Sequence, residues 1–147
     1  MQAKKILIAS DHGGFKLKET LKSYLQDKGF EVVDYGTDST ESVNYPDYAK
    51  LLVHGIKKQV ANRGILICTT GIGMSIAANR YAFIRAALVS KPELAHMARS
   101  HNDANVLVFG AKYITPKLAK ECVDEFLTTA FDGGRHCVRV DALERMK

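Results

Sequence analysis

Three nearly unbroken apolar runs constrain this chain more than any other feature: Lys5-Ile6-Leu7-Ile8-Ala9, Gly64-Ile65-Leu66-Ile67-Cys68 and Asn105-Val106-Leu107-Val108-Phe109. A strand with one wet face alternates apolar and polar residues, so a run without alternation belongs to a strand covered on both faces. Two further β-rich runs are Glu31-Val32-Val33-Asp34-Tyr35 and Ile84-Arg85-Ala86-Ala87-Leu88-Val89. Between the runs the spacing turns helical. Leu17, Leu21, Tyr24 and Leu25 share one face of a helix that stops near Gly29, and Tyr48, Leu51, Leu52 and Ile56 share one face of a second. Ser90-Lys91-Pro92-Glu93 offers a capping Ser with Glu three residues on, and Thr115-Pro116 a cap residue before a first-turn proline. Gly36 to Asn44, rich in Ser, Thr and Asp, reads as a long exposed loop. Strands alternating with helices in this way give an α/β fold, a mainly parallel sheet with helices on both faces.

At 147 residues the chain has the size of one domain, residues 1–147. No apolar stretch approaches the roughly 20 residues of a membrane span, and Met1-Gln2-Ala3-Lys4-Lys5 leads straight into the first strand without the make-up of a signal peptide. Cys68, Cys122 and Cys137 are odd in number and widely scattered, which argues against a disulfide framework and a zinc site and fits a reducing cytoplasm. The formal charge of +5 is spread along the chain, with only Arg135, Arg139 and Arg145 forming a basic tail. That pattern suits a small anionic ligand better than a nucleic acid or a membrane surface.

In an open α/β sheet ligands bind beyond the carboxyl ends of the strands. The first run ends in Ser10-Asp11-His12-Gly13-Gly14, the third in Cys68-Thr69-Thr70-Gly71-Ile72-Gly73-Met74-Ser75, and the helix after the fourth leads to His101-Asn102-Asp103. A carboxylate, two imidazoles, a thiol and a Gly-rich turn are therefore expected to converge on one rim. The turn at Gly71 and Gly73 exposes backbone N–H groups at a helix start, a cradle for phosphate or a developing oxyanion, or else it is only a tight turn that needs glycine. Ile76 occupies the third glycine position of a dinucleotide fingerprint, and no Gly-Lys-Ser/Thr follows to make a Walker loop. Cys68 beside those N–H groups has the surroundings of a base or nucleophile, with inert core filler as the alternative. Asp11, His12 and His101 lack the local spacing of a metal site, and no metal or other cofactor is expected. Arg135 and Arg139, one helical turn apart, can reach one phosphate or form a solvated basic face. To serve the rim, the tail at about 133–147 must fold back over it or reach a neighbouring subunit.

As a set these residues resemble the ribose-5-phosphate isomerase B and galactose-6-phosphate isomerase family. The blocks Ser10-Asp11-His12-Gly13-Gly14-Phe15, Asn44-Tyr45-Pro46-Asp47-Tyr48-Ala49, Gly64 to Cys68, Ser75-Ile76-Ala77-Ala78-Asn79, Ser100-His101-Asn102-Asp103-Ala104-Asn105 and Gly133-Gly134-Arg135-His136 carry the resemblance over nearly the whole chain. It implies a three-layer α/β/α sandwich with a Rossmann-like five-stranded parallel sheet, and a metal-free isomerase of sugar phosphates. It also implies a homodimer or homotetramer with shared active sites. By the same resemblance Cys68 is the base moving a proton between C1 and C2, with Thr70 assisting at the substrate oxygens. The backbone of Thr69, Gly71, Ile72 and Gly73 is the anion hole for the enediolate, with Ser75 beside it. His101, supported by Asp11, opens the sugar ring, Asn102 holds substrate hydroxyls, and His12, Arg135 and Arg139 clamp the phosphate.

Two positions depart from that pattern. Thr69 stands where glycine is common, and its Cβ narrows the hole. Lys112 stands where some relatives carry Arg, which keeps the charge but not the bidentate fork, so it plays a supporting part at the phosphate. The reading is an aldose-ketose isomerase of ribose 5-phosphate and ribulose 5-phosphate in the pentose phosphate pathway. Two alternatives are the same chemistry on allose or galactose 6-phosphate, and a non-catalytic phosphosugar-binding module.

Overall fold

The computed structural model describes residues 4–146, so Met1 to Ala3 of the expected N-terminal lead and Lys147 of the expected tail lie outside the described residues. The chain order is β1 (Lys5–Ser10), α1 (Phe15–Asp27), β2 (Glu31–Asp34), α2 (Tyr45–Lys57), β3 (Gly64–Cys68), α3 (Ile72–Asn79), β4 (Ala86–Leu88), α4 (Pro92–Ser100), β5 (Val106–Gly110), α5 (Pro116–Thr128) and α6 (Arg135–Arg145). Short 3₁₀ turns at His12–Gly14 and Ala111–Tyr113 follow β1 and β5. All five strands are parallel, in the order β2-β1-β3-β5-β4. This is the Rossmann-like α/β/α architecture expected from the sequence.

The unbroken runs are explained by two cores, one on each side of the sheet. Ile6, Ile8, Ile65, Ile67, Leu107 and Phe109 point to the side covered by α1, α4 and α5. Their chain neighbours Leu7, Ala9, Leu66, Cys68, Val106 and Val108 point to the side covered by α2 and α3. Each of these central-strand residues is thus buried whichever way it faces. Burying one such side chain stabilises the fold by about 1.5–3 kcal/mol, so the central strands dominate its stability.

Several local expectations are corrected. Leu51 is 46% exposed, because the face of α2 that meets the sheet is made by Ala49, Leu52 and Val53, with Ile56 partly buried at its edge. Tyr24 is only half-buried; its hydroxyl reaches the Asp124 carboxylate of α5 at 2.8 Å, so its polar end stays at the surface. The cap position of α4 is Lys91, not Ser90, and makes no side-chain bond, whereas Thr115 caps α5 by accepting from the Leu118 N–H at 3.2 Å. The fourth strand shrinks to Ala86–Leu88; Arg85 just before it gives its N–H to the Asn105 side chain and its guanidinium to Asp103 and Glu144. The loop from Gly36 to Asn44 is anchored at its start, where Ser10 and Gly36–Thr37 exchange backbone bonds of 2.7 and 2.8 Å and Thr37 is buried.

Charged groups also lie inside the fold, among them Asp11, Arg99 and, deepest, Lys18. The Lys18 side chain on α1 is 1% exposed and its ammonium is 2.7 Å from both Asp34 and Glu19. Burial alone would raise the Asp34 carboxyl, but hydrogen bonds from Lys18, the Gly36 N–H and Lys22 outweigh it and hold the group below its ordinary value.

Candidate active site

The chain reverses its direction of travel across the sheet between β1 and β3, and there two loop ends meet. The Asp11 N–H donates to the Ile67 carbonyl at 3.2 Å, which ties the end of β1 to the end of β3. The Asp11 carboxylate, buried, accepts the Gly14 N–H and so caps the 3₁₀ turn that presents His12. His12 Nδ1 accepts the Val43 N–H at 3.1 Å. A neutral ring therefore keeps its proton on Nε2, the nitrogen left to meet a ligand.

Cys68 ends β3 on the face covered by α3 and is 5% exposed. Its Sγ accepts the Gly71 N–H at 3.2 Å, and Thr70 Oγ1 accepts the Ile72 N–H at 3.2 Å. The next N–H groups, of Gly73 and Met74, lie in the first turn of α3, where no helical acceptor precedes them. Gly71 adopts φ +79°, and a Cβ there would lie 2.9 Å from the Gly110 nitrogen, so only glycine allows this close turn. Thr69 is exposed beside Gly13, and its carbonyl accepts the Lys112 N–H at 3.0 Å, which brings the Lys112 turn to the same rim. Ser75 sits one turn into α3.

Asp11, His12, Cys68 to Gly73, Ser75 and Lys112 are thus brought together. His101, Asn102, Arg135 and Arg139 are not with them. The α4 helix runs antiparallel to the strands, so His101 at its end sits at the amino edge of β5, whereas Cys68 pairs with Gly110 at the carboxyl edge. Roughly 13 Å of strand separates the two rims. The expected convergence on one rim, including Asp11 beside His101, does not occur within one chain. The expectation treated every residue between strands as a carboxyl-end residue, although a helix-to-strand connection lies at the other end.

A second cluster forms at the amino rim. The Asp132 N–H donates to the Ser100 carbonyl at 2.9 Å, which brings the residues before α6 against the end of α4. The His136 ring then stacks on His101, 4.2 Å between centroids and 17° from parallel. Partial burial, with His101 and Arg135 beside it, holds the His136 imidazole below its ordinary value. Arg135 and Arg139 are exposed on α6, and the far end of that helix is held by an ion pair of Glu144 with Arg85, which also bonds Asp103. Asn102 is exposed at the edge of a cleft of about 740 Å³ bordered by Arg85, Ala87 and Leu143. A second cleft, about 680 Å³, lies between Lys5, Phe30 and Arg63. Neither includes Cys68.

Several participants went unread in the sequence. The Val43 N–H orients His12, and Tyr45 lies over Gly73, where a Cβ would come within 2.6 Å of its ring. Tyr45 falls in a block of resemblance that gave it no role, and Val43 lies just before that block, at the end of the exposed loop. His136 falls in a block of resemblance without a role and Asp132 in none; their meeting with His101 is purely tertiary. Of the other thiols, Cys122 is buried and pushed up to about 11, chiefly by burial, which leaves it as core filler, while Cys137 is exposed.

The family model described as Ribose/Galactose Isomerase matches residues 6–143. The chain belongs to the ribose/galactose isomerase family. Within it, ribose-5-phosphate isomerase B of Escherichia coli is 46% identical over 95% of this chain and 94% of its own. A crystal structure of a ribose 5-phosphate isomerase from Thermotoga maritima superposes with a TM-score of 0.96 at 55% identity, covering 99% of this chain and 100% of that one. That of the Mycoplasma genitalium ribose-5-phosphate isomerase B with bound ribulose-5-phosphate gives 0.93 at 40% identity, over 99% and 97% of the two chains. This ribose/galactose isomerase chain thus shares the fold of its relatives over nearly its whole length.

Proposed function

We propose that the protein interconverts D-ribose 5-phosphate and D-ribulose 5-phosphate by ring opening and enediolate proton transfer, without a metal, as a step of the pentose phosphate pathway. The observation that carries this reading is the Cys68 sulfur held by the Gly71 N–H at the head of α3. A carbon beside a carbonyl is a weak acid, so the base must lie close to it and fixed donors must meet the enediolate oxygens. Cys68 is the base, Thr70 moves protons at the oxygens, and the backbone from Thr69 to Gly73 is the hole, with Ser75 at its edge. His12 through Nε2, and Lys112, meet anionic groups at the same rim.

His101 opens the ring, Asn102 holds hydroxyls, and Arg135 and Arg139 grip the phosphate. Because these four stand at the other rim of their own chain, the complete site is built from the carboxyl rim of one copy and the amino rim of a second. Support comes from apolar side chains left open in the single chain, among them Ile72 at 57%, Ile76 at 59% and Val138 at 71% exposure. The protein is accordingly read as one domain assembling into a homodimer, or a tetramer of two such pairs. No helix among the described residues is long and apolar enough to cross a membrane, and the three free cysteines fit a cytoplasmic setting.

The deciding experiment is turnover of ribose 5-phosphate against allose 6-phosphate with a chelator present and Cys68→Ala as control. Pentose turnover that survives chelation and disappears in the variant is expected. Hexose-only turnover overturns the substrate, and chelator-sensitive turnover overturns the metal-free mechanism.

A further inference from the structure

His101, Asp132 and His136 each present a ligand atom within 4.8 Å of the other two, at the amino rim and away from Cys68. Two imidazoles and one carboxylate are the donor set of borderline transition ions such as Zn²⁺ and Co²⁺, not of Mg²⁺, which prefers oxygen and keeps its waters. Ligands on a tetrahedral ion stand roughly 3.3 Å apart, given bonds of about 2.0–2.1 Å. The cluster therefore needs to contract modestly. Asp132 is exposed and can move, and the His101 and His136 rings, now stacked nearly parallel, turn out of their stack so that both in-plane lone pairs meet the ion. Three protein ligands leave a fourth position open for water.

We propose that His101, Asp132 and His136 form a binding site for one borderline transition cation, and that occupancy switches the isomerase off. The first half stands on the geometry alone. The second rests on the proposed role of His101: an imidazole whose lone pair is on a metal has none left for the proton of the sugar hydroxyl. The cation thus acts as an inhibitor competing with sugar phosphate, opposite in effect to a catalytic metal.

The site is tested by titrating chelator-stripped protein with Co²⁺ and following visible absorption. One equivalent of ligand-field absorption is expected for the parent chain and for Cys137→Ser, with affinity falling at least about tenfold in His136→Asn and in Asp132→Asn. Thermal melting of each variant shows whether it is folded, and His136→Gln serves as a second form. Absence of the bands, or bands unchanged in the folded Asp132 and His136 variants, overturns the site. The switch is tested with ribose 5-phosphate: Zn²⁺ inhibition that is competitive, reversed by chelator and weakened at least about tenfold in Asp132→Asn is expected. Co²⁺ bound at the cluster with turnover unchanged overturns the switch, whereas an absence of turnover under every condition overturns the isomerase reading and leaves the metal site standing.

Discussion

The hydroxyl of Thr69 occupies the space that a Cβ on Gly13 would need, and such a Cβ would also lie 3.2 Å from the Thr69 Cβ. The two loops that carry Asp11–His12 and Cys68–Gly71 therefore touch through a side chain on one and the lack of one on the other. Gly13→Ala is expected to destabilise the fold by about 1 kcal/mol through overpacking. In a Thr69→Gly background the same change should cost less, with a coupling of about 0.5 kcal/mol or more in a double-mutant cycle of denaturant midpoints. Additive effects would show that the two loops are independent.

Cys68 ends a buried strand, and Cys68→Ala takes away one sulfur atom and leaves only a small gap in the packing. Cys68→Ala should keep its melting temperature within a few degrees and lose about 10²–10⁴-fold in kcat, the usual contribution of a positioned base. Binding of ribose 5-phosphate, measured by calorimetry, should change far less than kcat.

The separation of Cys68 from His101 predicts complementation. Cys68→Ala and His101→Asn should each be inactive alone. Unfolded together and refolded at equal amounts, half of the random dimers are mixed, and each has one site with both intact halves. About a quarter of parent activity should return. No recovery in mixtures shown by mass spectrometry to contain hybrids would mean that each site is built from one chain.

Stability in acid should follow Asp34. Its folded value lies below that of an unfolded carboxyl, so its contribution is present above about pH 4 and is lost as the pH falls through the folded value. Asp34→Asn should remove that part of the acid dependence in urea midpoints. At neutral pH it should cost about 2–3 kcal/mol, because the buried Lys18 ammonium retains only Glu19.

Alkylation should sort the thiols by burial. Iodoacetamide near neutral pH is expected to modify Cys137 first and to leave Cys122 untouched until the protein unfolds, as read by peptide mass mapping.

The central strands were legible because burial on both faces writes an unbroken apolar run, and Cys68 to Ser75 was legible because a strand-to-helix turn is local. Leu51 and Ser90 were misjudged for a shared reason. Helical spacing and cap residues fix a helix only to within a small rotation or a residue or two, and packing against the sheet then chooses Val53 over Leu51 and Lys91 over Ser90. The direction of α4 matters more, because it decides at which rim His101 lies. Once its antiparallel course is drawn, His101 belongs with Arg135 and His136 rather than with Cys68. Nothing local announces such tertiary neighbours, so the meeting of Asp132 and His136 with His101 is visible only in three dimensions.

The α6 helix is joined to the body by one buried side chain, Val140, by the His136–His101 stack and by the Glu144–Arg85 pair. So slight an attachment makes it the segment that opens at least cost, and it carries Arg135, Arg139 and Arg145, each a cleavage point for trypsin. Brief digestion of dilute protein should clip this helix while the α/β/α body persists, and a second copy packed over it would shield the same bonds. The rate of that single clip would then count assembled molecules in solution, without substrate and without a label.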